Sequence, residues 1–502
     1  MKLHKHLSLP DTHFAFPFLT PDMFAFAREY AYSDHRKEKR LSPGDLAFKA
    51  VDVGSGTDTG RIYLVVFPLA AADGVSLVWG NPGVGVTTRL AQSLLPAIDA
   101  GIVVEVPVDV GSSEEEFSLA KVPPPTYLPE GEAHGKLRER IVGLLKRASI
   151  APEKAGLVKE EDVYLYQTGM ASIFRLHQCL MKWREGKAVV LGSVFHNTWH
   201  LLEEAPAGFK HFGRVDGAGK GLDELEDWLG AEAEEGRKVS YVFVEFPSNP
   251  ILVSPDLKRI RGLADKYDFV LVVDDTIGSF SNVDLSPVAD VLMSSTTKSF
   301  SGYADVMGGS LVLFPSSPQY QSLKTIWGKE FHNECFAGDA AKLLSNNEDY
   351  LARSTVLNRN AEMLTAYLQK LVVDEPAYGI SKVLYPTVSD TLDNYKAFMR
   401  KPTADFTPGY GCLFSIEFAD KDDAVTFYDN LNVFQGPHLG AHHTLAICFN
   451  EMTLGKDPEA AKYHIAYGVT LSQVRISVGL ESEEELLDTF KAALEKIREK
   501  KE

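Results

Sequence analysis

Ser294-Ser295-Thr296-Thr297-Lys298-Ser299-Phe300-Ser301-Gly302 sets a lysine among hydroxyls. It follows an apolar run that ends on two acids, Phe269-Val270-Leu271-Val272-Val273-Asp274-Asp275-Thr276. Taken alone, a lysine in a Ser/Thr-rich stretch reads as a solvated loop; its neighbours decide otherwise. Residues 269–273 are rich in β-branched side chains and continuously apolar, as expected of a strand covered on both faces. Asp274 then falls at the strand's carboxyl end, where open α/β sheets bind ligands. A lysine that forms a Schiff base with pyridoxal phosphate needs donors for the phosphate, a carboxylate for the ring nitrogen and a flat cover for the ring. Asp274 lies 24 residues before Lys298, room for a short helix and another strand.

Two further stretches repeat the design. Tyr241-Val242-Phe243-Val244-Glu245-Phe246-Pro247-Ser248-Asn249-Pro250 reads as strand then polar turn, with Asn249 placed to hydrogen-bond a ring oxygen; a turn residue before proline is the plainer reading. Asp162-Val163-Tyr164-Leu165-Tyr166-Gln167-Thr168-Gly169-Met170-Ala171-Ser172-Ile173-Phe174 reads as strand, Gly-containing turn and helix. The unpaired N–H groups and dipole of that helix start favour an anion, so Gly169 and Met170 are expected to hold phosphate through backbone N–H. Ser295 and Thr297 are expected to add hydroxyl donors.

Together these residues resemble the Cys/Met-metabolism pyridoxal-phosphate enzymes, most of all the fungal-type cystathionine γ-synthases. The resembling stretches run in the expected order. They are Tyr166–Ala171, Glu245–Pro250, Val273–Thr276, Ser295–Lys298, Asp305-Val306-Met307-Gly308-Gly309 and Val474-Arg475-Ile476-Ser477-Val478-Gly479-Leu480-Glu481. Weaker likeness extends to Gly83-Val84-Gly85-Val86-Thr87-Thr88-Arg89-Leu90-Ala91 and Gly436-Pro437-His438-Leu439-Gly440. The resemblance implies an α/β, aspartate-aminotransferase-like (fold type I) transferase. It would have a mostly parallel central sheet, a smaller α+β C-terminal domain and an N-terminal extension. The implied division is 1–105 for the extension, 106–345 for the cofactor domain with its arm, and 346–502 for the small domain.

By the same resemblance Lys298 is the catalytic, covalently loaded lysine and Asp274 holds the ring nitrogen. Asn249 lies near the ring hydroxyl, and Gly169, Met170, Thr276, Ser295 and Thr297 belong to the cofactor site. Arg475 takes the substrate α-carboxylate, a role that suits a planar bidentate fork. Three departures stand out. Phe195, in Gly192-Ser193-Val194-Phe195-His196, replaces the ring-stacking tyrosine and loses its hydroxyl. The Tyr-x-Arg motif that reaches a neighbouring subunit's phosphate has only Tyr127-Leu128-Pro129 as counterpart, with Arg138 or Arg140 as substitutes. His438 stands beside the substrate carboxylate where many relatives have serine.

Bulk properties fit this expectation. The net charge of −18 argues against nucleic acid or an anionic membrane surface as partner. No apolar run approaches the roughly 20 residues needed to span a bilayer, and the first ten residues lack a signal-peptide core. Cys179, Cys335, Cys412 and Cys448 show neither metal spacing nor a disulfide pattern, so a reduced cytoplasmic chain without metal is expected. Gly80-Asn81-Pro82-Gly83-Val84-Gly85 lacks the Gly-Lys-Ser/Thr ending of a phosphate-binding P-loop. It is expected to be a turn opening a helix capped by Thr87 or Thr88.

The expected reaction is γ-replacement on an O-acyl-L-homoserine, O-acetyl first, with cysteine or a carbon nucleophile such as a β-keto compound. γ-Elimination is the alternative, and a non-catalytic relative the reading from a different class. A homodimer or homotetramer is expected, because the site resembles one completed across a subunit boundary.

Overall fold

A computed structural model describes residues 2–42, 44–54, 60–111 and 116–502. Its centre is a seven-stranded sheet. In spatial order the strands are Val163–Tyr166, Gly309–Leu313, Val291–Ser294, Val270–Asp274, Val239–Glu245, Lys187–Leu191 and Phe209–Phe212. The last five are parallel; Gly309–Leu313 runs antiparallel to both its neighbours.

Alternation along these strands sorts the core into two layers. Leu271 and Val273 face helices Leu257–Tyr267, Lys220–Glu234 and Glu132–Lys146, while Val270 and Val272 face helices Gly169–Trp183 and Tyr320–Glu330. All four side chains are fully buried, each stabilising the fold by about 1.5–3 kcal/mol.

Residues before this unit form an antiparallel four-stranded sheet. Its order is His13–Phe18, Gly60–Pro68, Ala47–Val53 and Val103–Val106. Phe18, Phe24 and Tyr63 join the same apolar layer as Phe174 and Trp327, so this sheet packs onto the central unit. A buried ion pair reinforces that seam: Arg175 donates to Asp22 Oδ2 at 2.5 Å and to Glu334 Oε1 at 2.6 Å.

The C-terminal sheet has five strands, Ile380–Leu384, Leu413–Phe418, Gln473–Ser477, Leu445–Ile447 and Phe434–Gln435 in order. Helix Glu483–Lys501 starts at a Ser482/Glu485 capping box and buries Leu486, Phe490, Leu494 and Ile497, one side of the amphipathic pattern. No helix among the described residues is long and apolar enough to cross a membrane. All four cysteines are unpaired.

Candidate active site

The carboxyl ends of the central strands open onto one cavity, and Lys298, Asp274 and Arg475 all line it. Lys298 sits on the loop between strands Val291–Ser294 and Gly309–Leu313. Enclosure, aided by the charge of Arg475, brings its ammonium down from 10.5 to about 8. Its amine is therefore largely uncharged in mildly alkaline solution and able to act as a nucleophile. Capture of an aldehyde by the cofactor-free protein should accelerate as pH rises through about 8 and then level off. Stopped-flow absorbance with pyridoxal phosphate checks this; a profile still climbing steeply at pH 10 would contradict the enclosed-lysine geometry.

Asp274 closes its strand in register with Glu245 of the adjacent parallel strand. Both carboxylates are buried. Burial, against a 2.8 Å bond from Thr276 N–H to Asp274 Oδ1, raises the Asp274 carboxyl to about 6. Burial and then the charge of Asp274 push Glu245 well above the usual carboxylate range. Such a pair calls for a cation, and a protonated ring nitrogen supplies one.

That geometry gives a stability test. A carboxyl raised in the folded state keeps its stabilising proton below pH 3.8 and loses that contribution as pH rises through about 6. At pH 7.5 Asp274→Asn should therefore stabilise the cofactor-free protein, while weakening cofactor binding. Thermal melts with and without pyridoxal phosphate read both effects; an unchanged cofactor affinity would remove Asp274 from the ring site.

The helix Gly169–Trp183, whose start is expected to hold phosphate, begins at the cavity. Thr168 caps it, accepting from Ala171 N–H at 2.9 Å, and Gly169 and Met170 line the cavity. A Cβ at Gly169 would lie 2.8 Å from Ser295 Oγ, so only glycine leaves that corner open. Ser295 and Thr276 also line the cavity and are joined by a 2.9 Å bond from Ser295 N–H to Thr276 Oγ1. Thr297 differs from expectation. It lines the cavity, yet its N–H and hydroxyl both donate to Gly308 O, at 3.2 and 3.1 Å. Its donors are spent bracing the lysine loop, which leaves Ser295 and the helix N–H groups for an anion.

Phe195 lines the cavity at the start of helix His196–Glu203, and its N–H donates to Glu245. Asn249 N–H donates to the other Glu245 oxygen at 2.9 Å. Glu245 thus ties together Phe195 and Asn249, the residues expected to cover the ring and to lie at its edge. Sequence reasoning assigns this residue no role; an acid ending a fully buried strand is the available signal.

Arg475 lies mid-strand in the C-terminal sheet and donates to Asn249 Oδ1 at 3.0 Å and to Pro437 O. Burial lowers its pKa to about 10, partly offset by Cys412 and Glu245. It still carries its charge at neutral pH. His438 is not part of the cavity lining, although Pro437 and Leu439 are. Its Nε2 is buried without a hydrogen-bond partner. Burial, then Lys298 and Arg475, lowers its pKa to about 4, so it is neutral. It sits between two residues that line the cavity and feels the charges of both Lys298 and Arg475.

The arginines expected to reach the neighbouring phosphate are engaged elsewhere. Arg138 donates to Val163 O and Glu130, Arg140 to Asn347 Oδ1 at 2.6 Å. Tyr127 is exposed and packs on the His332 ring. What sequence reasoning misses most is that Trp79, Gly83, Val86 and Thr87 of the N-terminal region also line the cavity. As expected, Thr87 caps a helix, Thr88–Asp99.

The donor set fits pyridoxal 5′-phosphate: a helix start and a serine for the phosphate, a buried uncompensated carboxylate for the ring nitrogen, a phenyl ring as cover and an enclosed amine.

A family model described as Cys/Met metabolism PLP-dependent enzyme matches residues 143–495. An alanine racemase of Aspergillus violaceofuscus is 37% identical over 454 residues, 88% of this chain and 75% of that protein. A cystathionine gamma-synthase-like enzyme of Amanita muscaria is 34% identical over 489 residues, 88% of this chain and 77% of that protein. Among solved structures, the cystathionine gamma synthase of Xanthomonas oryzae pv. oryzae in complex with aminoacrylate and cysteine superposes with a TM-score of 0.58. It is 22% identical and covers 78% of this chain and 93% of that one. This likeness establishes the fold type I architecture.

Proposed function

This chain belongs to the Cys/Met-metabolism PLP-dependent enzymes, and from that premise we propose that it catalyses γ-replacement on an O-acyl-L-homoserine, O-acetyl-L-homoserine foremost. The observation that carries the reading is the convergence of Lys298, Asp274 and Arg475 on one cavity. A decayed, non-catalytic relative has no reason to retain all three. When bound, the cofactor withdraws electrons from the amino acid's α-carbon and, by conjugation, activates its β- and γ-positions.

The residues of this chain do the rest. Asp274 holds the ring nitrogen's proton, and the start of helix Gly169–Trp183 with Ser295 holds the phosphate. Arg475 takes the substrate carboxylate in a charge-assisted fork. Lys298 removes the proton at Cα and moves protons to and from Cβ. Phe195 has no hydroxyl to share that work, so the lysine carries it alone. The Cγ–O bond breaks and acetate leaves; the Cγ–nucleophile bond forms, and the nucleophile's proton is taken up as it adds. The proposal includes a homodimer or a tetramer of two dimers as the assembly, which light scattering at working concentration tests.

Separate incubations of O-acetyl-L-homoserine with cysteine, sulfide and acetoacetate, followed by mass analysis, test the reaction. A product that keeps the homoserine carbon skeleton and gains the nucleophile supports replacement. Formation of 2-oxobutanoate and ammonia in every tube means elimination instead, and no change in any tube refutes both. The racemase relative supplies a second reading, proton return to the opposite face of Cα. Conversion of L- to D-alanine by this protein, without acetate release from O-acetyl-L-homoserine, would decide for it.

A further inference from the structure

The loop Trp79–Thr87 lies outside the stretch matched by the family model, residues 143–495, yet it forms a wall of the cavity. Hydrogen bonds along its length hold it there. At one end Asn197, two residues past the ring cover Phe195, donates through Nδ2 to Asn81 Oδ1 at 3.2 Å. In the middle Thr168, the cap of the phosphate helix, donates through Oγ1 to Gly83 O at 2.8 Å. Gly83 has φ +64°, and a Cβ there would lie 2.4 Å from that hydroxyl oxygen, so the close approach requires glycine. At the far end the Thr87 hydroxyl donates to Asp339, and Arg89 Nη2 donates to Asp305 O at 2.8 Å. Val86 N–H donates to Pro17 O at 3.0 Å, which hangs the loop from the N-terminal sheet. The N-terminal region therefore arches over the cavity from ring cover to lysine loop, within one chain.

The arch brings no charge. The groups it turns to the cavity are an indole, glycine backbone, a valine and a threonine. Among the described residues, Lys298 and Arg475 are the cations that line the cavity, and Glu245 and Asp274 the acids. All four are already committed. Arg475 is given to the amino acid's carboxylate, Lys298 to proton transfer, Asp274 to the ring nitrogen and Glu245 to two backbone N–H groups. Within this chain's own lining, a second reactant with its own carboxylate meets no unused cation, and burying such a charge unpaired is strongly unfavourable. Trp79 is 43% exposed, which puts its indole at the mouth rather than the floor. A Cβ at Gly85 would lie 2.0 Å from Trp79 Nε1, so the backbone of the arch packs directly under the ring.

We infer that the loop Trp79–Thr87 is the wall against which the incoming nucleophile packs, that it selects an uncharged reactant, and that Trp79 is a specificity-determining residue setting its size. This inference rests on the γ-replacement reading. It favours a neutral thiol or carbon nucleophile over cysteine, whose carboxylate and ammonium both enter with it.

The test uses full-length, cofactor-loaded protein, saturating O-acetyl-L-homoserine and matched pairs of second reactants. Ethanethiol is set against 3-mercaptopropionate, and methyl acetoacetate against acetoacetate. Acetate release and product mass are followed together. The neutral member of each pair should be preferred in kcat/KM by about a hundredfold or more. Trp79→Ala should lower KM for benzyl mercaptan at least about tenfold. It should leave KM for O-acetyl-L-homoserine and the affinity for pyridoxal phosphate unchanged. Trp79→Phe should keep the native size limit, and Trp79→Arg should raise the use of 3-mercaptopropionate. Equal use of charged and neutral partners, with acetate released in both, overturns the inference while leaving γ-replacement standing. So does a Trp79→Ala protein whose KM changes only for the acyl-homoserine. Absence of acetate release in every tube overturns the γ-replacement reading and this inference with it.

Discussion

Lys298→Ala abolishes turnover, with a loss of at least about 10⁴-fold because both the proton carrier and the covalent anchor disappear. The fold survives this change. Lys298 lines a cavity instead of filling a core, and its enclosed ammonium is held at a depressed pKa of about 8, so removing it relieves a cost of enclosure. The cofactor-free variant should melt at or slightly above the temperature of the native cofactor-free protein. Its loaded form should bind pyridoxal phosphate more weakly and release it on dialysis. Activity and melting measured on one preparation separate a chemical loss from a folding loss. A folded variant with undiminished turnover would exclude Lys298 from the chemistry.

Arg475→Ala raises KM for the amino-acid substrate by about 10²–10³-fold, the value of a buried charge-assisted fork together with the carboxylate it leaves unpaired. Cofactor affinity should fall far less than substrate affinity, since Arg475 reaches the ring site only through Asn249 Oδ1 and its other bond is to Pro437 O. Arg475→Lys should restore only part of the loss. A lysine supplies charge without the planar pair of donors that reaches carboxylate and Asn249 together. Steady-state kinetics with direct titration of cofactor resolve the two contributions. Equal losses in substrate and cofactor affinity would mean that Arg475 supports the cavity as a whole.

Much of this site is legible in the chain because its parts sit at strand ends. Val270–Val273 is apolar on both faces and Asp274 follows it, so sheet burial and ligand position can be read together. The turn at Thr168–Gly169 announces a helix start, and the lysine among hydroxyls falls where the next strand ends. The antiparallel strand Gly309–Leu313 is not distinguishable from a parallel one, since both are buried on two faces and show the same continuous apolarity.

Side-chain economy is less legible. Thr297 looks like a phosphate donor by type, but its hydroxyl is spent on Gly308, eleven residues away. Glu245 looks like a strand-ending acid, and only the register with Asp274 shows two carboxylates sharing one low-dielectric corner. Arg138 is a candidate by charge, whereas Glu130 already neutralises it. The largest gap is the arch Trp79–Thr87. Its bond to Thr168 spans 85 positions in the chain, and no local pattern in a glycine-rich turn reveals which surface that turn will cover.

Whether this cavity is a pyridoxal-phosphate site with Lys298 as the point of attachment is tested most directly by borohydride reduction of the loaded protein, followed by proteolysis and peptide mass mapping. The peptide carrying Lys298 should gain the reduced pyridoxyl-phosphate mass, and the corresponding peptide of Lys298→Ala should lack it. The same mass on a different lysine, or on none, would contradict the assignment.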